Sequence, residues 1–387
     1  SILASGFGAF LSTILLILTA VPLALFALAF GPSEYFALAI FGLSLVSSLG
    51  GKSHLRGFIA MFIGLLVVTV GLDPINGSFR YVFHMNLMEG IPFLPALIGL
   101  FALSEVFYML EDVRERPIKP EPIRGLGVEL SFIRGKWFTF VRSSLLGYII
   151  GVIPGAGTTI ASLVSYNEAK RWAKEPETFG AGNPEGIVGS EAANNSAVSG
   201  ALAPMLALGV PGSASAAILI GALTIQGVQP GPLLFSKNPE IPYSIFATLL
   251  FAVPFMVAIG LFGLRIWMKV TNIPKGLLAT CVTAICVIGA YASSNNLYPV
   301  WVMIFSGIFG YLLRKVDIPM APIVLALVLG FMAEVNFRRA YIHSNGDFSA
   351  FVTHPITMIL LVLSVLTMVV PVILESRKKR MAAAARG

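Results

Sequence analysis

The chain has 387 residues, of which 56% are hydrophobic and only 12% charged; its net charge is +7 and its mean hydropathy +0.86. A soluble domain carries about twice that charged fraction, because polar surface is needed against water, so a soluble globular fold is excluded and a polytopic membrane protein is expected. The excess basic residues sit between apolar runs, where they read as membrane orientation and not as nucleic-acid binding.

A helix needs about 20 apolar residues to cross hydrocarbon. Residues 7–30 meet this without a charge. Residues 35–51 and 57–72 are shorter spans separated by Lys52, His54 and Arg56, and 91–110 follows. A polar connector rich in Pro and Arg covers 111–136. Residues 137–165 are apolar except for Arg142 and are broken at Pro154-Gly155, after which 167–190 is polar. Residues 192–236 contain no charge and are punctuated by Pro204, Pro211 and Gly212. Apolar runs at 241–264, 276–313, 318–333 and 348–374 complete the set, the second of them long enough for two helices turning at Asn295-Asn296.

The expected fold class is all-α: a polytopic integral membrane protein with broken or re-entrant helical hairpins, arranged as in inverted-repeat transporters. As domains this gives one membrane unit over 1–387. It comprises N-terminal helices (1–110), a cytoplasmic connector (111–136), a broken-helix region (137–236), C-terminal transmembrane helices (241–375) and a basic cytoplasmic tail (376–387).

Positive residues concentrate on the cytoplasmic side. By this rule Lys52/Arg56, the connector with Arg114, Arg116, Lys119, Arg124, Arg134 and Lys136, then Lys170/Arg171/Lys174, Arg265/Lys269/Lys275, Arg314/Lys315 and the C-terminal tail are cytoplasmic. The loops at 73–89 and 237–240 are periplasmic. Both flanks of 137–165 are then on one side, so that segment is expected to be a hairpin with Pro154-Gly155 at its tip. Residues 192–236 must cross an odd number of times, which suits a re-entrant element plus a span.

Two related breaks carry the strongest functional signal. The first is Gly151-Val152-Ile153-Pro154-Gly155-Ala156-Gly157-Thr158-Thr159; the second is Gly209-Val210-Pro211-Gly212-Ser213-Ala214-Ser215. Irregular backbone at membrane depth is tolerated where it is buried or lines a cavity. It exposes amides and helix N-termini that favour anions. One such break reads as readily as a Pro kink beside small packing residues; two in corresponding positions point to a transporter site. The substrate-binding candidates are therefore Pro154, Gly155, Ala156, Gly157, Thr158, Thr159, Pro211, Gly212, Ser213 and Ser215.

Glu191, Asn194 and Asn195 stand where polar sequence enters the long apolar stretch. They suit coordination of Na⁺, proton carriage or substrate contact, or else a helix N-terminal cap with an acid near the dipole. Asp73, with Gly71, Gly77 and Arg80 around it, suggests a loop ion pair, or an anion drawn to Arg80. Residues 227–232 read as a rigid Pro-Gly loop.

Signs of enzymes and metals are weak. HExxH and GxSxG are absent, and Gly51-Lys52-Ser53 lacks the first glycine of a P-loop. Ser213 or Ser215 as a membrane-embedded nucleophile would need a base, and that stretch has no His or Lys. Cys281 and Cys286 read as helix-packing residues, and His54, His84, His343 and His354 are scattered.

At these motifs the sequence resembles the large membrane subunit of the tripartite tricarboxylate transporters. The matching residues run through 151–157, Ser165-Tyr166, Phe179-Gly180, 184–186, 191–195, 208–213 and 227–232. Upstream, Gly71, Asp73, Gly77, Arg80, Gly90, 99–101 and Glu105 also match. The resemblance implies a permease in the bacterial inner membrane, multi-pass, with its C-terminus cytoplasmic. It further implies uptake of small di- or tricarboxylates by symport, with Na⁺ or H⁺ as coupling ion and no other cofactor. A periplasmic solute-binding protein and a small four-helix membrane subunit are the implied partners, beside membrane lipid and no nucleic acid. The family's two-repeat design places an earlier pair of Pro-Gly breaks before the part that matches Ser1, so that residues 1–110 hold the remainder of a first repeat. An assembly scaffold, or a carboxylate transporter acting alone, is the alternative.

Overall fold

A computed structural model describes residues 1–49, 54–111, 135–270 and 273–384. Gly51-Lys52-Ser53 and nearly all of the expected connector lie outside the described residues, as do 385–387. The helices are α1 (Ile2–Ala27), α2 (Pro32–Leu49), α3 (His54–Val68), α4 (Phe93–Glu111), α5 (Trp137–Val152), α6 (Gly157–Trp172), α7 (Pro184–Leu208) and α8 (Ala214–Ile225). Then follow α9 (Glu240–Val270), α10 (Lys275–Ala292), α11 (Tyr298–Lys315), α12 (Met320–His343) and α13 (Pro355–Ala384). Among the described residues strand appears only as a hairpin of β1 (Gly71–Leu72) with β2 (Phe79–Arg80). Among the described residues, five helices are long and apolar enough to cross a membrane: α1, α4, α9 over Glu240–Leu264, α10 and α12. The protein is thus an all-α polytopic membrane protein, as its composition required.

The chain divides into two compact units, residues 1–28 with 109–281 and residues 29–108 with 282–387. In the first, α7 is the central helix and α1, α5 and α6 pack around it. Its core joins Leu16 and Ala20 of α1 to Tyr148, Leu202, Met205, Leu206 and Phe246. The expected hairpin is present: α5 and α6 pack on each other and on α7, with the break at 153–156 between them. In the second unit α2 packs against α12 and α13, α3 against α12, and α4 against α11. α4 widens into π-helical geometry over Ile98–Leu103. The turn expected at Asn295-Asn296 separates α10 from α11, with Asn295 in the left-handed region at φ 50°.

Several helices depart from the expected limits, α6 and α9 among them by running on to Trp172 and Val270. α7 begins at Pro184 and not near Ala192, because Asn183 caps it by accepting the Glu185 N–H at 2.9 Å and Pro184 follows at the first helical position. Polar residues 185–190 are therefore helical. α12 runs ten residues beyond Ala333 to His343, since Glu334 and Arg338 find partners within the protein. The last helix continues through the expected tail as far as Ala384.

Candidate functional site

α5 and α7 ascend side by side in the same direction, and small residues make the approach close. A methyl group on Gly147 would meet the main chain of Ala193, and one on Gly151 that of Ala197. From the other helix, Gly200 faces the Tyr148 carbonyl and the Gly151 backbone. Small residues at a membrane-helix interface allow such backbone contact and its dispersion energy. The Ser196 hydroxyl crosses the seam to donate to the Ser144 carbonyl at 2.5 Å.

The two helices start level and run parallel, but α7 has 25 residues against the 16 of α5, so beyond Gly209 the chain folds back and brings Gly212 against Gly151 and Ala201. The Gly155 N–H donates to the Gly212 carbonyl at 3.1 Å, joining the two breaks directly. Each break uses glycine for its own reason. Gly155 and Gly157 have φ of 80° and 66°, a backbone region that L side chains avoid. Gly212 is a matter of space: a Cβ there would lie 2.7 Å from the Gly151 oxygen and 2.8 Å from the Ala201 Cα. α7 itself closes on Gly209, at φ 73°, whose N–H returns to the Met205 carbonyl at 3.0 Å.

Two helix N-termini, those of α6 and α8, therefore open within a few residues of the Gly155–Gly212 contact. Such termini carry about half a positive charge and unpaired amides. Ser213 caps α8, accepting the Ala216 N–H at 3.2 Å, and its Oγ lies 3.3 Å from that of Ser215. Pro154, Ala156, Pro211 and Gly212 are buried, Gly155, Gly157, Thr158 and Ser213 half-buried, and Thr159 and Ser215 exposed. The arrangement can bind a carboxylate by backbone amides and hydroxyls. Among the described residues neither serine hydroxyl bonds a histidine or lysine, the kind of base that acyl chemistry needs.

Two bridges tie α1 to this framework. Tyr148, buried one turn below the first break, shares a hydrogen bond with Thr19. Ser5 donates to the Glu191 carboxylate at 2.9 Å. Glu191, Asn194 and Asn195 all lie on α7, where Asn195 Nδ2 donates to the Glu191 carbonyl at 3.2 Å. Gly212 lies against Ala201, so at 1.5 Å per residue Glu191 is about 15 Å and Asn195 about 9 Å along α7 from the joined breaks. The structure thus brings the two breaks together, with the Glu191 group about two to three turns of α7 below them. Nor is Glu191 a cap acid, since the cap is Asn183.

The first 325 residues match the model of the tripartite tricarboxylate transporter TctA family. The chain belongs to that family. Two proteins of Agrobacterium vitis are similar to this TctA-family chain. An uncharacterized 52.8 kDa protein in the TAR-I ttuC' 3' region is 36% identical over 379 residues, which is 98% of this chain and 76% of that one. An uncharacterized protein in the TAR-II ttuC' 3' region is 37% identical over 234 residues, 60% of this chain and 97% of that one. No solved structure matches.

In the second unit of this TctA-family protein, Asp73 and Arg80 do meet, at 3.8 Å, but each has a closer partner on α12. Arg338 donates to both Asp73 oxygens at 2.7 and 2.6 Å, and Arg80 donates to Glu334 at 2.5 and 3.3 Å. Asp73 also accepts the N–H groups of Ile75 and Asn76, both at 2.9 Å. Those amides first, and Arg338 after them, hold its carboxyl well below the usual carboxylate range. The charge of Arg80 is committed to Glu334, which favours the ion-pair reading of this loop over anion capture. Glu334 and Arg338 are not among the residues that the sequence singled out; their signal was the i,i+4 spacing of opposite charges past the expected helix end. Lys136 and Glu185 were missed similarly. Glu185, 5% exposed, accepts from Lys136 Nζ at 2.5 Å and from Thr139 at 2.6 Å.

Proposed function

We propose that this protein is the subunit through which a small di- or tricarboxylate enters the cell, with Na⁺ or H⁺ moving alongside. The family is a family of tripartite transporters. A soluble solute-binding protein delivering substrate from the periplasm and a small four-helix membrane partner complete the system on this reading. The inner membrane of a bacterium is its place, and the C-terminus faces the cytoplasm. The observation that carries the site assignment is the Gly155–Gly212 hydrogen bond, which sets two broken helices and two helix N-termini against each other. Substrate carboxylate is held by main-chain amides at Pro154 to Thr159 and Pro211 to Ser215, with Thr158, Ser213 and Ser215 supplying hydroxyls. Glu191, Asn194 and Asn195, about two to three turns of α7 below the joined breaks, are suited to a coupling cation.

Uptake of labelled citrate-like acids into proteoliposomes, with the binding protein and small subunit present, tests the reading. Thr158→Val and Ser213→Ala are expected to lower apparent affinity for the acid several-fold, each neutral hydrogen bond being worth about 0.5–1.5 kcal/mol. Wild-type affinity in the double variant would sink the site assignment. Uptake that proceeds fully without the soluble partner would favour a transporter acting alone. Assembly of the partners without any uptake would favour a scaffold.

A further inference from the structure

The α5–α6 hairpin has the first break at its tip. At its other end, where α5 begins and α6 stops, it carries a cation without an anion. Arg142 lies five residues past Trp137, about 7.5 Å along α5. Its side chain runs back toward the start of the helix. The guanidinium carbon is 5.3 Å from the centre of the Phe138 ring, one turn earlier, and 5.8 Å from that of Trp172 at the end of α6. Nη2 donates to the Glu168 carbonyl at 3.2 Å, while Nε and Nη1 are buried with no partner among the described residues.

Other arginines of this protein are answered by carboxylates: Arg56 by Asp317, Arg80 by Glu334, Arg171 by Glu168, Arg314 by Glu105 and Arg338 by Asp73. Arg142 has no such ion pair among the described residues. Glu168 turns only its carbonyl to Arg142; its carboxylate accepts the Trp172 indole N–H at 3.0 Å and stands 3.6 Å from Arg171. A guanidinium withdrawn from water with two donors unused is costly, so an anion from outside the chain is called for.

The surroundings say which kind. Trp137, Phe138 and Trp172 are 53%, 66% and 66% exposed, and tryptophans at the ends of membrane helices sit at the level of the lipid headgroups. Lys170 is exposed in the last turn of α6. A soluble anion gains nothing from three exposed aromatic rings, whereas a lipid sets its chains against them and its phosphate beside the guanidinium.

We propose that Arg142 binds the phosphate of an anionic phospholipid at this end of the hairpin. The guanidinium fork matches a phosphate diester, and the charges of Arg142 and Lys170 favour a headgroup of net negative charge over a zwitterionic one. The covered nitrogens are reached when Phe138 turns aside; its ring is two-thirds exposed and has no ring or cation contact but Arg142 among the described residues. The lipid thereby ties one end of the hairpin to the membrane surface while the other carries the break. This inference stands apart from the transport reading, and either can fail alone.

Native mass spectrometry of the full-length protein in mild detergent, titrated with phosphatidylglycerol or phosphatidylcholine, tests it. The wild type is expected to hold a phosphatidylglycerol about fivefold more tightly than phosphatidylcholine. Arg142→Gln should lose that preference, and Arg171→Gln, at a side chain 75% exposed and already paired, should keep it. Arg142→Lys retains the charge without the fork and is expected to fall between, which keeps the comparison readable should the glutamine variant fold poorly. Equal retention of the two lipids by the wild type, or an undiminished preference in Arg142→Gln, would overturn the proposal. Glycerophosphoglycerol carries the same headgroup without acyl chains. Displacement of the lipid by an equal concentration of it would also overturn the proposal and assign Arg142 to a soluble phosphate.

Discussion

Gly212 and Gly157 offer a matched test of how the two breaks are held. Gly212→Ala adds one methyl within 3 Å of the Gly151 oxygen, the Ala201 Cα and the Ala201 Cβ. Two of those three atoms are backbone and cannot swing away. Overpacking of this kind costs about 1–3 kcal/mol. Parting the breaks also loses the Gly155–Gly212 hydrogen bond, another ~0.5–1.5 kcal/mol. The expected loss is therefore about 1.5–4.5 kcal/mol, or one to three powers of ten in the folding equilibrium. Gly157→Ala adds the same methyl where nothing lies within 4 Å, so its cost is only the left-handed backbone, about 1–2 kcal/mol. Asparagine tolerates that conformation. Gly157→Asn should then approach wild type, while Gly212→Asn should be worse than Gly212→Ala. Thermal unfolding in detergent, followed by intrinsic fluorescence or by loss of the monodisperse size-exclusion peak, ranks the four variants. If Gly212→Ala melts with or above Gly157→Ala, or if asparagine rescues Gly212, the close approach of the breaks is refuted.

Other outcomes follow from the same coordinates. Ser213→Ala removes the cap of α8 and is expected to cost about 0.5–2 kcal/mol, measured by the same melts. Asp73 titrates below its ordinary range when folded, so its contribution is fully present above the unfolded value of about 3.9 and is lost as pH falls below it. Hydrogen exchange over residues 71–90 should accordingly be flat at neutral pH and rise only in acid; Asp73→Asn should raise it at neutral pH and flatten the acid response. Glu185→Ala deprives both Lys136 and Thr139 of their acceptor; Lys136 is about one-third exposed, so its share is screened and the total is expected near 1–3 kcal/mol. A double-mutant cycle with Lys136→Met should give a coupling above about 0.5 kcal/mol.

Much of this architecture was legible in the chain itself. Membrane residence follows from a charged fraction too low to cover a soluble surface. The turn at Asn295-Asn296 and the hairpin at Pro154-Gly155 follow from local chemistry: asparagine and glycine enter left-handed backbone that other residues avoid, and proline ends a helix. Helix ends were less legible where polar residues continued a helix. Hydropathy counts Glu185 or Glu334 against a span, but inside the fold each has a cation beside it, and a paired charge no longer opposes the helix. The family likewise is written in the motifs of residues 71–232, and the match over residues 1–325 bears it out.

What only the tertiary structure decided is who meets whom. The sequence showed two Pro-Gly breaks, 57 residues apart from Pro154 to Pro211; that they face one another depends on α5 and α7 being parallel and on the chain folding back beyond Gly209 to Ala201, a property of packing over many small residues and not of either break. The same packing sets Glu191 about three turns of α7 from the joined breaks, since Gly212 returns to the level of Ala201. It also buries the hydroxyls of Ser143 and Ser165 with no partner among the described residues. Local chemistry acts over one or two turns of helix. Contacts between helices depend on where every intervening turn leads the chain, and so become visible only when the chain is folded.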